Sequence, residues 1–136
     1  MKLKRFFVIF LLFIIMMSAC TSTKLADIYD ENIIIERAKK VVEIINSQDF
    51  DSVNAELRAD LQDQLTSSKM NDTIGVKIVA AGPFVKYQSI STLGQKSKST
   101  GEDYASVVLV GEYEKGTVVF TITMDSNLDI VGIYVK

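Results

Sequence analysis

The chain has no histidine and a single cysteine, Cys20, among its 136 residues. Without histidine there is no imidazole acid or base for neutral pH, no serine-histidine or cysteine-histidine nucleophile pair, and no histidine ligand for a structural zinc. With one cysteine there is no internal disulfide, so the fold must be stable on packing alone. Positive charge is also in short supply, with 15 Lys+Arg against 17 Asp+Glu and no basic stripe. That balance excludes nucleic acid as a partner class and gives no pull toward an anionic leaflet. Proline occurs once, as Pro83 directly after Gly82, and that pair divides the chain into two halves of different period.

Long apolar runs are limited to one. Residues 6–17 form an unbroken apolar stretch of 12 residues, preceded by Lys2, Lys4 and Arg5 and followed by Ser18, Ala19 and Cys20. A spanning helix needs ~20 apolar residues, so this run is too short to cross a bilayer. A basic start, a short apolar centre and small residues describe an export signal. Met17-Ser18-Ala19-Cys20 resembles the lipobox of bacterial lipoproteins, with Met17 where leucine is more usual. The resemblance implies a diacylglyceryl group on the Cys20 sulfur, cleavage between Ala19 and Cys20, and a lipid-anchored protein on the extracytoplasmic face of the cell membrane. The alternative is an ordinary secretory signal that leaves Cys20 as a stray thiol, a liability in an oxidising compartment.

Removing residues 1–19 takes away three of the basic residues and none of the acidic ones, so the net charge falls from -2 to -5. What remains is enough for one domain with one core. Residues 20–31 read as a polar lipidated tether that holds the domain, residues 32–136, no more than about 35 Å from the lipid.

From residue 33 to residue 46 the apolar positions fall on one wide helical arc, interrupted only by Arg37, with Glu36 and Lys40 paired on the wet side. Asp49 or Asp51 can cap a second helix carrying Phe50, Val53, Leu57, Leu61 and Leu65 at three- and four-residue steps. Thr66, Ser67 or Ser68 can cap a third, marked by Met70, Ile74, Ile78 and Ala81 and stopped at Gly82-Pro83. Beyond Pro83 the period changes to two, which predicts strands at 84–92, 104–113, 117–124 and 130–135 in an antiparallel meander. Glu114-Lys115-Gly116 reads as a hairpin loop with glycine at a positive φ. Residues 93–102 read as a polar loop, either a mobile recognition loop or, preferred, a solvated connection. Val107 to Val110 and Ile130-Val131 are apolar on both faces, as in strands that are covered or that offer a dry face to a partner.

This order, with Phe50 after Asp49 opening the second helix and Ile130-Val131-Gly132-Ile133 in the last strand, resembles the nuclear transport factor 2-like, or cystatin-like, α+β fold. Within it the chain is similar to uncharacterised domains of Gram-positive lipoproteins. The resemblance implies about three N-terminal helices on a curved four-stranded antiparallel sheet, with a pocket between them. Tyr87, Tyr104, Phe120 and Tyr134 are the candidate pocket residues, although a strand tyrosine more often buries its ring at a rim. Asp125-Ser126-Asn127-Leu128-Asp129 starts like a calcium loop, but Ile130 replaces the required glycine, so a hairpin turn is the better reading. No catalytic set, cofactor or metal site is expected. The first expectation is a non-enzymatic module that binds an envelope protein, a small apolar ligand or a second copy of itself through the sheet face. The alternative is an isomerase- or dehydratase-type pocket enzyme using a buried carboxylate and a tyrosine.

Overall fold

The Asp30 side chain accepts hydrogen bonds from the amides of Asn32 at 2.9 Å and Ile33 at 3.2 Å, which satisfies donors that a helix start leaves free. The first helix, α1, therefore spans Glu31–Asn46, two residues longer at its start than its apolar period predicts. The protein is described here by a computed structural model covering residues 24–136; Ala19 and Cys20 lie outside the described residues. Helix α1 buries Ile34, Ala38, Val41, Val42 and Ile45. Arg37, the charge on its apolar arc, bonds through Nη1 to Glu56 and through Nε to the Leu128 carbonyl at 3.3 Å. Lys40 also goes to Glu56, at 3.6 Å, and Glu36 pairs instead with Lys39 at 3.2 Å. The expected Glu36 to Lys40 pair gives way because Glu56 offers Lys40 a less exposed partner.

Asp49 caps helix α2, Phe50–Glu56, by accepting from the Ser52 amide at 3.2 Å and the Ser52 hydroxyl at 2.6 Å. The helix stops well short of Leu65. Leu57 turns extended to form a parallel bridge with Ile130, and the Arg58 amide donates to the Ile130 carbonyl at 2.9 Å. Leu61 closes a short 3-10 turn, Ala59–Leu61. The chain between is held by the Asn54 side-chain amide, which donates to the carbonyls of Gln62 and Leu65. Leucine spacing kept its period here while the backbone went to the sheet.

Thr66 caps the third helical body, made of α3 (Ser67–Met70), a π turn (Asn71–Gly75) and α4 (Val76–Ala81). A β-carbon on Gly75 would come within 3.1 Å of the Phe50 ring, so glycine lets this rod press against α2. Gly82 at φ +76° ends it, in the left-handed region that suits glycine.

Four strands follow, β1 (Phe84–Lys96), β2 (Asp103–Tyr113), β3 (Gly116–Met124) and β4 (Ile130–Val135), antiparallel and in sequence order. The molecule is α+β, with its helices N-terminal to an open antiparallel sheet. Strand β1 runs four residues past its predicted end, because Leu93 to Lys96 pair with Ser106 to Asp103, and the expected long loop shrinks accordingly. Gly116 pairs with Tyr113 and is not at positive φ. The Glu114 and Lys115 amides of this turn donate to the Pro83 and Ala81 carbonyls, so the hairpin is held from outside rather than by glycine.

Alternation gives β2 and β3 one dry face. Val107, Leu109, Val118, Phe120, Ile122 and Met124 are buried facing the helices, where they fill the space that the expected pocket between helices and sheet would occupy. Residues 24–30, expected as free tether, lie against the same side. Leu25 and Ala26 pack on the core, Tyr29 is 8% exposed, and its hydroxyl donates to the Asp103 carbonyl at 2.6 Å. A β-carbon at Gly94 would sit 2.4 Å from the Lys24 carbonyl oxygen. Only glycine admits this strap.

Candidate functional site

The ends of four elements meet where α1 and α4 stop, β1 starts and β2 finishes. Because β1 and β2 are antiparallel, Phe84 pairs with Tyr113, and the Glu114-Lys115 turn ties the same end to Ala81 and Pro83. A cleft of about 340 Å³ opens there, lined by Asn46, Gln48, Ile78, Val79, Pro83, Phe84 and Tyr113, with Gly82 at its edge. Val79 and Phe84 present exposed apolar surface to it, and Tyr113 is almost fully buried with its hydroxyl donating to Asn46 Oδ1. Burial pushes the Tyr113 phenol up to about 12.

An aromatic row leads from this cleft into the core. Phe84 lies 4.9 Å from Tyr87 and 5.4 Å from Tyr113 between ring centres, and Tyr113 lies 6.5 Å from Phe120. Tilted and edge-on contacts of this kind add to area burial. Gly111, under the rings, leaves them room, since a β-carbon there would stand 3.0 Å from Tyr113 and 3.4 Å from Phe84. Burial also pushes Tyr87 up to about 12, helped by the charges of Glu43 and Glu36.

Of the four expected pocket residues, two belong to this row. Tyr87 is half-buried beside the cleft and Phe120 is fully buried behind it. Tyr134 pairs with Thr121, on the sheet face turned away from the helices, and is 64% exposed. Tyr104 stands at the opposite end of β2, with its hydroxyl donating to Glu102 at 2.8 Å. The four do not converge. Tyr113 was a further tyrosine available to a pocket but not one of the four; Asn46 and Phe84 were missed, although the hairpin register and the Gly82-Pro83 stop together mark the place where they meet.

At the far end of the sheet a polar cluster gathers around Arg58. Its guanidinium grips Asp60 through two hydrogen bonds, at 2.7 and 3.1 Å, and reaches Asp125 at 3.4 Å. Asp125 is 3% exposed, and its other oxygen accepts from the amides of Asn127 at 2.9 Å and Asp129 at 3.0 Å. This buried carboxylate braces the β3-β4 turn, as the hairpin reading expects, and it lines neither described depression. Tyr29 nearby is pushed up to about 12 by burial and then by the charges of Asp125, Asp103 and Glu102.

A second, shallower depression of about 300 Å³ lies between the α2 and α3 starts and holds Asp49, Asp51, Ser67 and Ser68. Hydrogen bonds from Ser52 hold the Asp49 carboxyl below the usual range, as suits an ionised cap. Among the described residues no group of three or more acidic, cysteine or histidine side chains is placed to hold a metal ion, and no helix is long and apolar enough to cross a membrane.

No curated protein matches the chain significantly. Among solved structures it is similar to a protein from Ruminococcus gnavus ATCC 29149 determined by NMR. The TM-score is 0.72 and the identity 25%, over 83% of this chain and 96% of that one. A family model, described as "Protein of unknown function (DUF3887)", matches residues 38–133, from the middle of α1 into β4. The chain belongs to that family.

Proposed function

We propose that the protein is a lipoprotein anchored through Cys20 to the outer face of the cytoplasmic membrane, with a nuclear transport factor 2-like domain that acts as a non-enzymatic binding module. The observation that carries the binding role is the cleft at Asn46, Val79, Phe84 and Tyr113. Its walls combine apolar surface with a few fixed hydrogen-bonding groups, the usual make-up of a small-ligand site. The cone itself is packed with Phe120, Ile122 and Met124, each fully buried. A ligand therefore meets the end of the domain rather than its interior. The chemistry that fits is a compact apolar group carrying one hydrogen-bonding head, either free or as a side chain of an envelope protein. The enzymatic reading gains no support from the buried carboxylate, since Asp125 is spent on two amides and Arg58.

The test is an NMR titration of residues 21–136 with p-cresol, benzamide and hexanoate. Saturable shifts at Asn46, Gly82, Phe84 and Tyr113 are expected for at least one probe, with a Kd of about 1 mM as befits a fragment. Val79→Asp should abolish them. Shifts scattered over the sheet surface, or none, would refute the cleft as the binding site.

A further inference from the structure

The strap changes how far the domain can stand from the lipid, and which end of it faces the membrane. Lys24 is already docked, with its carbonyl against Gly94 near the end of β1. Four residue steps separate it from Cys20, a reach of about 14 Å at full extension, against the 35 Å available to an undocked tether. The docking point lies at one pole of the molecule. The start of α1 is there too, since Thr92 donates to Glu31 at 2.8 Å, and so is the tip of the β1-β2 hairpin beyond Lys96 and Asp103. Helix α1 then leads away from this pole for its 16 residues, about 24 Å at the standard rise. It ends at Asn46, on the cleft.

We propose that the strap holds the lipoprotein end-on, with the β1-β2 hairpin tip and the strap turn against the phospholipid headgroups and the cleft facing away from the membrane. This rests on the Cys20 anchor proposed above. One observation besides the reach accords with it. Ile28 on the strap and Ile33 on the first turn of α1 are 64% and 53% exposed, so this pole carries apolar side chains that headgroup contact can cover; Val79 and Phe84 are exposed at the cleft end as well, so the reach decides between the two ends. Lys24, Lys96 and Lys98 are exposed there, but Asp27 is exposed among them, so charge adds little and the short connection decides the geometry. One consequence follows for the ligand. The cleft samples the aqueous envelope, and what it binds arrives from there rather than out of the bilayer.

The experiment uses the full lipidated protein in vesicles of phosphatidylethanolamine and phosphatidylglycerol containing a headgroup spin-labelled lipid. With Cys20 acylated, Lys98→Cys and Lys115→Cys each give one thiol for a fluorophore, at opposite ends of the sheet. The protein should float with the vesicles. The Lys98→Cys probe should be quenched at least about twofold more than the Lys115→Cys probe, the two being separated by roughly 40 Å of strand. Flotation with equal or reversed quenching would overturn the end-on arrangement and leave the anchor standing. Failure to float would overturn the anchor, and the arrangement with it.

Discussion

Arg37 sits on the apolar arc of α1 because Glu56 and the Leu128 carbonyl are there to receive it. Burial alone would push the Glu56 carboxyl up, but the hydrogen bond and charge of Arg37, with Lys40, outweigh it and hold the group below its usual range. Asp125 plays a similar part at the β3-β4 turn, where it accepts from Arg58 and from two amides. Asp125→Ala would strand two amides and one bond to Arg58, at a cost of about 2–3 kcal/mol. Thermal denaturation should register this as a loss on the order of 10 °C in Tm; an unchanged Tm would mean that the turn holds itself. Tyrosine chemistry sets the alkaline limit. Tyr29, Tyr87 and Tyr113 are each raised to about 12, mainly by burial. A raised pKa means that the fold favours the neutral phenol. Its contribution is whole below the unfolded value near 10 and is lost as pH climbs through 12. Absorbance and circular dichroism followed together should show these phenols ionising as the fold is lost, within that window. Ionisation near pH 10 with the fold intact would contradict their burial.

At the scale of elements, the periods of the sequence predict α1 and four strands in an antiparallel meander, and the structure has them; the predicted dry face is buried in β3, while Ile33 of the α1 arc is exposed. What the periods hide are places where backbone need overrides side-chain pattern. Leu57, Leu61 and Leu65 keep helical spacing, yet Leu57 pairs with Ile130 because the sheet edge offers its neighbour's amide a carbonyl. Gly94, Gln95 and Lys96 after Leu93 break the β-branched alternation, so residues 93–96 read as loop. That glycine is in a strand because the strap crosses it. The strap was equally hard to read, since its apolar residues Leu25, Ala26 and Tyr29 show no period and are mixed with charges. Gly94→Val tests its role. The larger side chain cannot share the space with the Lys24 carbonyl, so residues 24–30 should lose hydrogen-exchange protection while β2 and β3 keep theirs. Stability should fall by about 1–3 kcal/mol. Protection unchanged at Tyr29 would show that the strap does not depend on that contact.

Taken whole, the molecule is a polarised object. One pole carries the strap, the start of α1 and the lysine-bearing hairpin tip; the other carries the cleft. The cleft was only partly legible in the sequence. Tyr87 and Phe120 led toward the aromatic row, but the residues that open it come from the ends of four elements, and those ends are joined only by the antiparallel register. Tyr104 and Tyr134 went astray for the same reason, because β propensity says that a tyrosine is in a strand and not which face or end it occupies. Attachment at Cys20 underlies both the anchor and the end-on arrangement, and intact-mass analysis of the protein extracted from cell membranes measures it directly. The expected species begins at Cys20 and carries a diacylglyceryl group, and it becomes unprocessed in Cys20→Ala. A mature protein with a free Cys20 thiol, or one that retains residues 1–19, would contradict the lipid anchor.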